Sequence, residues 1–330
     1  MKKENIVLIV FIGILCLLFI NKNTFMNTSS SDFPIKIMFI LLLITLFRLN
    51  IIYGCIGFIF VVIFYKYIIT ENFIDIDIDK TTYLDGIDVI YWINLDRSKD
   101  RRKKMEKLLE DPLFKKMDKV RIPAVDGKDP DFEKNIDNII TNRDPKNTNL
   151  EYGCTLSHLN AIKKFYDSEY DIALILEDDI TLDFKKYWKT EIKNVIKNAP
   201  QDWEIIQLCY TLKNNKSIPK ATYTKTYGNF YSTVAYIINK KGASKINNIY
   251  LNNKYHFKKS IIHAADWFIY LLCKSYTFKF PYFTYSYEND SVIHNDHLPS
   301  HIKSKMHIEN YLQSITSFPS QTLPFGPEVT

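Results

Sequence analysis

The sequence predicts an α/β protein in which a mixed or parallel sheet is covered by helices. From Ile87 onward, strand-like apolar runs alternate with amphipathic helical stretches, the pattern of strands returning through helices. Residues 172–176 are apolar at every position, as expected of a strand buried on both faces. Glu177, Asp178 and Asp179 follow at once, where ligands of an open α/β sheet gather, outside the carboxyl ends of its strands. Adjacent carboxylates repel, so they share a cation or wait for one. Hard ions such as Mg²⁺ and Mn²⁺ accept oxygen ligands and also bind substrate phosphates. An acidic turn capping the next helix is the plainer reading of the same three residues.

Composition narrows the function classes. The 330 residues suffice for one large domain or two small ones. The formal charge is +6, too mild to argue for nucleic acid; it suits an anionic small substrate, and a solvated surface explains it equally well. Five cysteines include no CxxC pair, so neither a zinc site nor a disulfide framework is indicated, and buried free thiols are expected. Only nine glycines occur and none forms a Walker- or kinase-type phosphate loop, which disfavours another nucleotidyl- or phosphoryl-transferring enzyme.

The first 70 residues read as a membrane anchor that contacts the lipid bilayer. Residues 6–20 carry no charge and follow a basic start, and no small-residue cleavage pattern succeeds them. A second apolar stretch, 35–69, is broken by Lys36, Arg48, Asn50 and Lys66. Each uncharged half is shorter than the roughly 20 residues a spanning helix needs. A single helix would hold Arg48 near mid-membrane at about 2.5–3.5 kcal/mol, which a hairpin turning at Arg48 avoids. Two or three spans are thus expected, and their parity sets the side on which the C-terminal domain lies. Residues 71–86, with Asp75, Asp77 and Asp79, lack the glycine and closing Glu of an EF-hand and read as an acidic linker.

The remaining elements follow in order. Residues 88–95 form the first strand, and the basic loop after it (Asp96, Arg97, Arg101) opens a helix, either as a plain solvated helix start, the favoured reading of the loop by itself, or as a place where a phosphate could be met. Residues 119–125 are a second strand ended by the turn signal Asp126-Gly127. Polar residues 128–150 read as a loop over the sheet edge. A helix from Glu151 carries His158, which is either a packed helix residue or a substrate contact. Residues 203–210 and 230–239 are further strands, separated by a Lys/Asn/Thr-rich excursion at 213–227. Asp266 opens a short helix, as an N-cap or as a general base facing a cleft. Residues 278–287 give a last aromatic strand, after which Asp290, His294, His297 and His301 gather polar groups; the tail from about Ser314 is rich in Ser and Pro.

Taken together, these segments resemble glycosyltransferase family 25, which includes lipopolysaccharide-type and collagen-type galactosyltransferases. The likeness rests on INLDR (Ile93 to Arg97) with Arg101, PAVDG (Pro123 to Gly127), GCTLSH (Gly153 to His158), LILEDD (Leu174 to Asp179), TVAYIINKKGA (Thr233 to Ala243) and ADW (Ala265 to Trp267). Each motif is weak alone; their order and spacing over about 200 residues are specific. The resemblance implies a GT-A-like (Rossmann-like) nucleotide-sugar-binding domain, placed here over 87–313; the N-terminal transmembrane helices before it and the loose tail after it, 314–330, are read from the sequence and lie outside the resemblance. It implies an inverting, metal-dependent transfer from a UDP-sugar, commonly UDP-galactose, to a hydroxyl on a glycan or protein acceptor, with Mn²⁺ or Mg²⁺ bound. Carried onto this chain, Asp179 and Asp178 stand at the metal, with His294 completing its sphere and Glu177 one shell out. Asn94, Asp96, Arg97, Arg101, His158 and Glu177 stand at the donor, and Asp266, with Asp290 in reserve, is the base. The pattern is EDD rather than a strict DxD, which leaves the ligating oxygens open. The alternative is a membrane-bound binding or adhesion protein that keeps the fold without catalysis.

Overall fold

The computed structural model describes residues 80–212, 217–259, 262–286 and 298–316, with six isolated helical positions between Ile44 and Cys55. The chain divides into two units, Met1–Ile78 and Asp79–Thr330. The expected membrane spans lie almost wholly outside the described residues, and among those residues no helix is long and apolar enough to cross a membrane.

The second unit is built on a seven-stranded sheet. Its strands in chain order are β1 (Val89–Asn94), β2 (Asp118–Pro123), β3 (Ile172–Glu177), β4 (Ile205–Gln207), β5 (Tyr223–Lys225), β6 (Ala235–Asn239) and β7 (Ser275–Phe278). Across the sheet they lie in the order β2-β1-β3-β6-β4-β7-β5. β1 runs parallel to both β2 and β3, while β6 is antiparallel to β3 and to β4; β7 is parallel to β4, and β5 closes the edge antiparallel to β7. The sheet is therefore mixed, one of the two arrangements the sequence leaves open.

Among the described residues of this unit there are seven α-helices: α1 (Lys99–Leu108), α2 (Pro130–Ile139), α3 (Asn149–Tyr166), α4 (Ile192–Lys197), α5 (Lys240–Asn247), α6 (Ala265–Leu272) and α7 (Leu298–Thr316). Side chains alternate across a strand, and here both faces are covered. Tyr91, Ile93, Ile175 and Tyr236 meet α3, α5 and α6 on one side. Trp92, Leu174, Leu176 and Ile237 meet Met105, Ile192, Val195 and Trp188 on the other. This two-sided burial explains why the central strands lack a polar alternation; each buried Leu or Ile contributes about 1.5–3 kcal/mol.

Several expectations need correction. The loop expected over 128–150 contains α2, which Asp129 caps by accepting from Asp131 N–H; Pro130 holds its first turn, and Phe132 and Ile136 are buried one turn apart. Helix α3 starts earlier than Glu151, at a capping box in which Thr148 and Glu151 hold each other's backbone N–H. The expected strand at 278–287 is displaced: the sheet takes Ser275–Phe278, and Thr284–Tyr285 pairs separately with Ile180–Thr181. The 213–227 excursion contributes β5. Residues 80–86, placed in the linker by sequence, pack on the domain, with Leu84 buried and Tyr83 stacked on Trp188. Helix α7 was not expected, yet Ile308 and Leu312 bury against Phe184, Tyr187 and Tyr210, and its Ser304 hydroxyl accepts from Leu212 N–H at 2.8 Å.

Candidate functional site

The parallel register pairs Ile93 with Glu177, so Asn94, the last residue of β1, and Asp178, the first residue after β3, emerge side by side. Antiparallel β6 brings its leading residues to the same place, and Glu177 N–H donates to Val234 O at 2.9 Å. β2 feeds the Ala124–Gly127 turn onto the start of α3. That contact is close: a Cβ on Gly153 would lie 2.7 Å from Val125 O, and one on Gly127 would lie 2.3 Å from Asn149 O. Only glycine at both positions lets turn and helix touch, and Ser157 Oγ locks them by accepting from Val125 N–H at 2.8 Å. The result is an open cleft of about 130 Å³ whose lining includes Asn94, Arg97, Arg101, Asp126, Cys154, His158 and Glu177 to Asp179.

The three carboxylates do different things. Glu177 turns toward the sheet, where its Oε1 accepts from Thr233 Oγ1 at 2.9 Å and lies 3.3 Å from His158 Nε2. His158 Nδ1 in turn lies 3.2 Å from the Tyr236 hydroxyl. Burial works against the Glu177 charge, yet His158, Thr233 and the Arg101 field hold the carboxyl below the usual range. Asp178 accepts from Asn94 Nδ2 at 2.5 Å and pairs with the Arg101 guanidinium; burial nonetheless pushes its carboxyl up.

Asp179 is the least satisfied. Arg101 Nη2 lies 3.1 Å from its Oδ2, but Oδ1 is sealed from solvent with no hydrogen-bond partner among the described residues. Burial, and then the Glu177 charge, push this carboxyl up to about 7. Arg101 Nε is likewise sealed without a partner. One guanidinium therefore serves a site with more negative charge than it can neutralise. An unpartnered oxygen beside two further carboxylates is a donor set that fits a hard divalent cation.

Placement of the other expected residues is uneven. Asn94 is buried and acts as a strut: its Oδ1 accepts from Arg121 at 3.0 and 3.1 Å while its amide holds Asp178. Arg97 lines the cleft but pairs with Asp126. Asp96 points away, 76 % exposed, with Arg121 at 2.5 Å. Arg101 stands on the carboxylates rather than at an open phosphate position. Asp266 occupies the first turn of α6 and is not its N-cap, which is Ala264. Its carboxylate accepts from the backbone of Ser232 and Trp267; burial raises it, and the Glu177 charge adds to the rise. Asp290 and His294 lie outside the described residues.

Sequence reasoning missed Arg121, Thr233, Tyr236 and Cys154. The first three carry no local signal, since their partners are 27, 56 and 78 residues away in the chain. Cys154 sits one helical turn before His158, a spacing that could have been noticed. Its thiol is pushed well up by burial and by the surrounding Glu177, Asp266 and Asp179, which ties Asp266 to the same electrostatic environment as the cleft.

Comparison with known proteins bears on this arrangement. The sequence model of glycosyltransferase family 25 (LPS biosynthesis protein) matches residues 87–269, just over half of the chain. Human procollagen galactosyltransferase 2 is 31% identical over 176 residues, 49% of this chain and 27% of that protein. Zebrafish procollagen galactosyltransferase 1 is 30% identical over 183 residues, 51% of this chain and 29% of its own length. A glycosyltransferase 25 family member of Drosophila melanogaster is 31% identical over 175 residues, again 49% of this chain and 28% of that protein. The matched stretch thus spans less than a third of each of these relatives.

Proposed function

Since the chain belongs to glycosyltransferase family 25, we propose that it transfers a sugar, galactose in the first instance, from a UDP-sugar to a hydroxyl of a glycan or protein acceptor. The transfer inverts the anomeric centre and uses a divalent cation, Mn²⁺ or Mg²⁺, on a GT-A-like domain. Procollagen galactosyltransferases among the relatives support galactose as the donor sugar. The observation that carries the reading is the sealed Asp179 Oδ1 at the strand ends, unpartnered among the described residues, in a cleft that also presents Arg97, Arg101, Ser157 and His158 beside apolar walls.

Asp179, with Asp178 beside it, would hold the cation, which supplies Lewis-acid stabilisation of the charge developing on the diphosphate. Arg97 and Arg101 supply fixed positive charge along the same wall, and Asn94 keeps Asp178 aimed into the cleft. Glu177, held by Thr233 and His158, presents its remaining oxygen to the donor. Asp266 receives the proton of the acceptor hydroxyl. Its raised carboxyl makes it a better proton acceptor near neutral pH, and the Ser232 and Trp267 N–H groups fix its orientation. The apolar stretches before residue 70 would hold this domain at a membrane.

The test is a panel of UDP-sugars assayed for hydrolysis and transfer with and without Mn²⁺. One donor should be consumed, and Asp179→Asn should abolish that consumption. Full activity in the variant would remove the metal assignment, and a folded protein inert on every donor would favour a binding role.

A further inference from the structure

Cys154 and His158 stand one turn apart on the same face of α3, and Glu177 at the end of β3 faces them. Their candidate ligand atoms, one thiol sulfur, one imidazole nitrogen and one carboxylate oxygen, all lie within 4.8 Å of one another. In a tetrahedral zinc site, such atoms stand about 3.5 Å apart, given Zn–S near 2.3 Å and Zn–N near 2.0–2.1 Å. Closing the remaining gap needs only side-chain adjustment of about an ångström.

The surroundings are those of a prepared site. The Tyr236 hydroxyl engages His158 Nδ1 and so leaves Nε2 directed at Glu177. Thr233 Oγ1 fixes the Glu177 carboxylate at 2.9 Å. Outer partners of this kind set the tautomer and ring orientation of ligating histidines. All three candidate ligands line the cleft, so a fourth position opens to solvent.

We propose that Cys154, His158 and Glu177 form a binding site for a borderline-soft divalent cation of the zinc type, distinct from the oxygen-rich position at Asp178 and Asp179. The two positions select different ions. A sulfur–nitrogen–oxygen set favours Zn²⁺ and Co²⁺, whereas carboxylates alone favour Mg²⁺ and Mn²⁺. Occupation takes Glu177 and His158 out of the cleft chemistry, so zinc acts as an inhibitor. That consequence rests on the proposed transferase reading, but the binding itself does not.

The test titrates the metal-free full chain with Co²⁺ and Zn²⁺ alone, without nucleotide sugar. Co²⁺ should produce a thiolate-to-cobalt charge-transfer absorption that saturates at one equivalent. Cys154→Ser should remove that band, and Asp179→Asn should retain it. Tyr236→Phe, which deletes one hydroxyl, should keep the band and weaken Zn²⁺ binding about 10-fold or more. A wild-type chain without the band overturns the site, and this result requires no variant to fold. Persistence of the band in Cys154→Ser, or its loss in Asp179→Asn, also overturns it. Zinc binding with unchanged donor hydrolysis would remove the inhibitory consequence alone.

Discussion

At the N-terminal edge of β4, Glu204 is 1 % exposed and both of its carboxylate oxygens are occupied. Lys245 Nζ donates to them at 3.1 and 2.9 Å, and Lys274 N–H donates to Oε2 at 2.8 Å. At the C-terminal ends of β1 and β3, Asp178 and Asp179 share one guanidinium with Glu177 beside them, and one Asp179 oxygen has no partner among the described residues. The same sheet therefore carries a completed acidic site at one end and an incomplete one at the other. A buried carboxylate with all its partners fixes an element in place, here joining α5, β4 and the segment before β7. A buried carboxylate lacking partners destabilises the domain until something binds, and such deficits mark functional positions.

The largest expected effect separates the two ends. Asp179→Asn should lower the proposed donor hydrolysis at least about 1,000-fold, equivalent to about 4 kcal/mol at 1.36 kcal/mol per decade, while thermal stability is held or raised. A variant that keeps its activity, or that fails to fold, would erase the distinction. Glu204→Ala should do the reverse. Removing one partner of a buried ion pair costs about 3–5 kcal/mol; the lower end applies because Lys245 is 45 % exposed. Urea unfolding should show that loss, with specific activity of the folded fraction unchanged. Loss of activity at full stability would show that the Glu204 end is not merely structural.

The contrast also shows what the sequence can reveal. The run from Leu174 to Asp179 was legible because strand and carboxylates are contiguous, and so was a helix-covered sheet, whose strands are short apolar runs separated by helix signals, but not whether it was mixed or parallel. Arg121 was not legible, because a single Arg in a strand reads as solvent-facing; only the pairing of β1 with β2 brings it to Asn94. Thr233 and Tyr236 reach the site only because β6 runs antiparallel to β3, a direction no local pattern specifies. Helix α2 was hidden in a segment rich in Asn, Asp and Pro, although its Asp129-Pro130 start is a helix-opening signal. Helix α7 was obscured by polar residues, even though Ile308, Tyr311, Leu312 and Ile315 repeat at helical spacing. Asp266 was left between N-cap and general base because capping and catalysis favour the same residue type at nearly the same position; the structure puts the cap at Ala264.

A smaller effect tests whether the incomplete end depends on the glycine contact beneath it. Gly153→Ala inserts a methyl 2.7 Å from Val125 O and 3.0 Å from Gly127 N. The turn or the start of α3 must shift, at a cost of about 1–3 kcal/mol. Denaturant unfolding should show that loss together with weakened donor hydrolysis, because Cys154 and His158 ride on the displaced helix. The equivalent methyl at Gly228 meets nothing within 4 Å, but its φ of +75° adds backbone strain. Gly228→Ala should therefore lower stability without touching the cleft. Equal effects of both variants on hydrolysis would dissociate the glycine contact from the site.

A last comparison reads the charge deficit directly, through the pH dependence of the metal-free protein. Asp179 has a folded carboxyl pushed up to about 7, against 3.8 in the unfolded chain. Between those values the folded state keeps a proton that the unfolded state has released. Stability therefore falls as pH rises through the window and levels off above about 7. Glu177 acts oppositely, but its carboxyl is lowered from 4.5, so its contribution is lost only below that value and does not overlap the upper part of the window. Asp178 and Asp266 are raised as well and act in the same direction as Asp179, so the comparison must be with a variant. Melting temperatures of wild type and Asp179→Asn, measured from about pH 5 to about pH 8, should diverge, with the variant the more stable at the alkaline end. Saturating Mn²⁺ should close that gap, because a bound cation stabilises the ionised carboxylate that the empty site disfavours. A wild type that gains stability over the variant as pH rises without metal would mean that Arg101 already satisfies the carboxylates, and that the two ends of the sheet are equally complete.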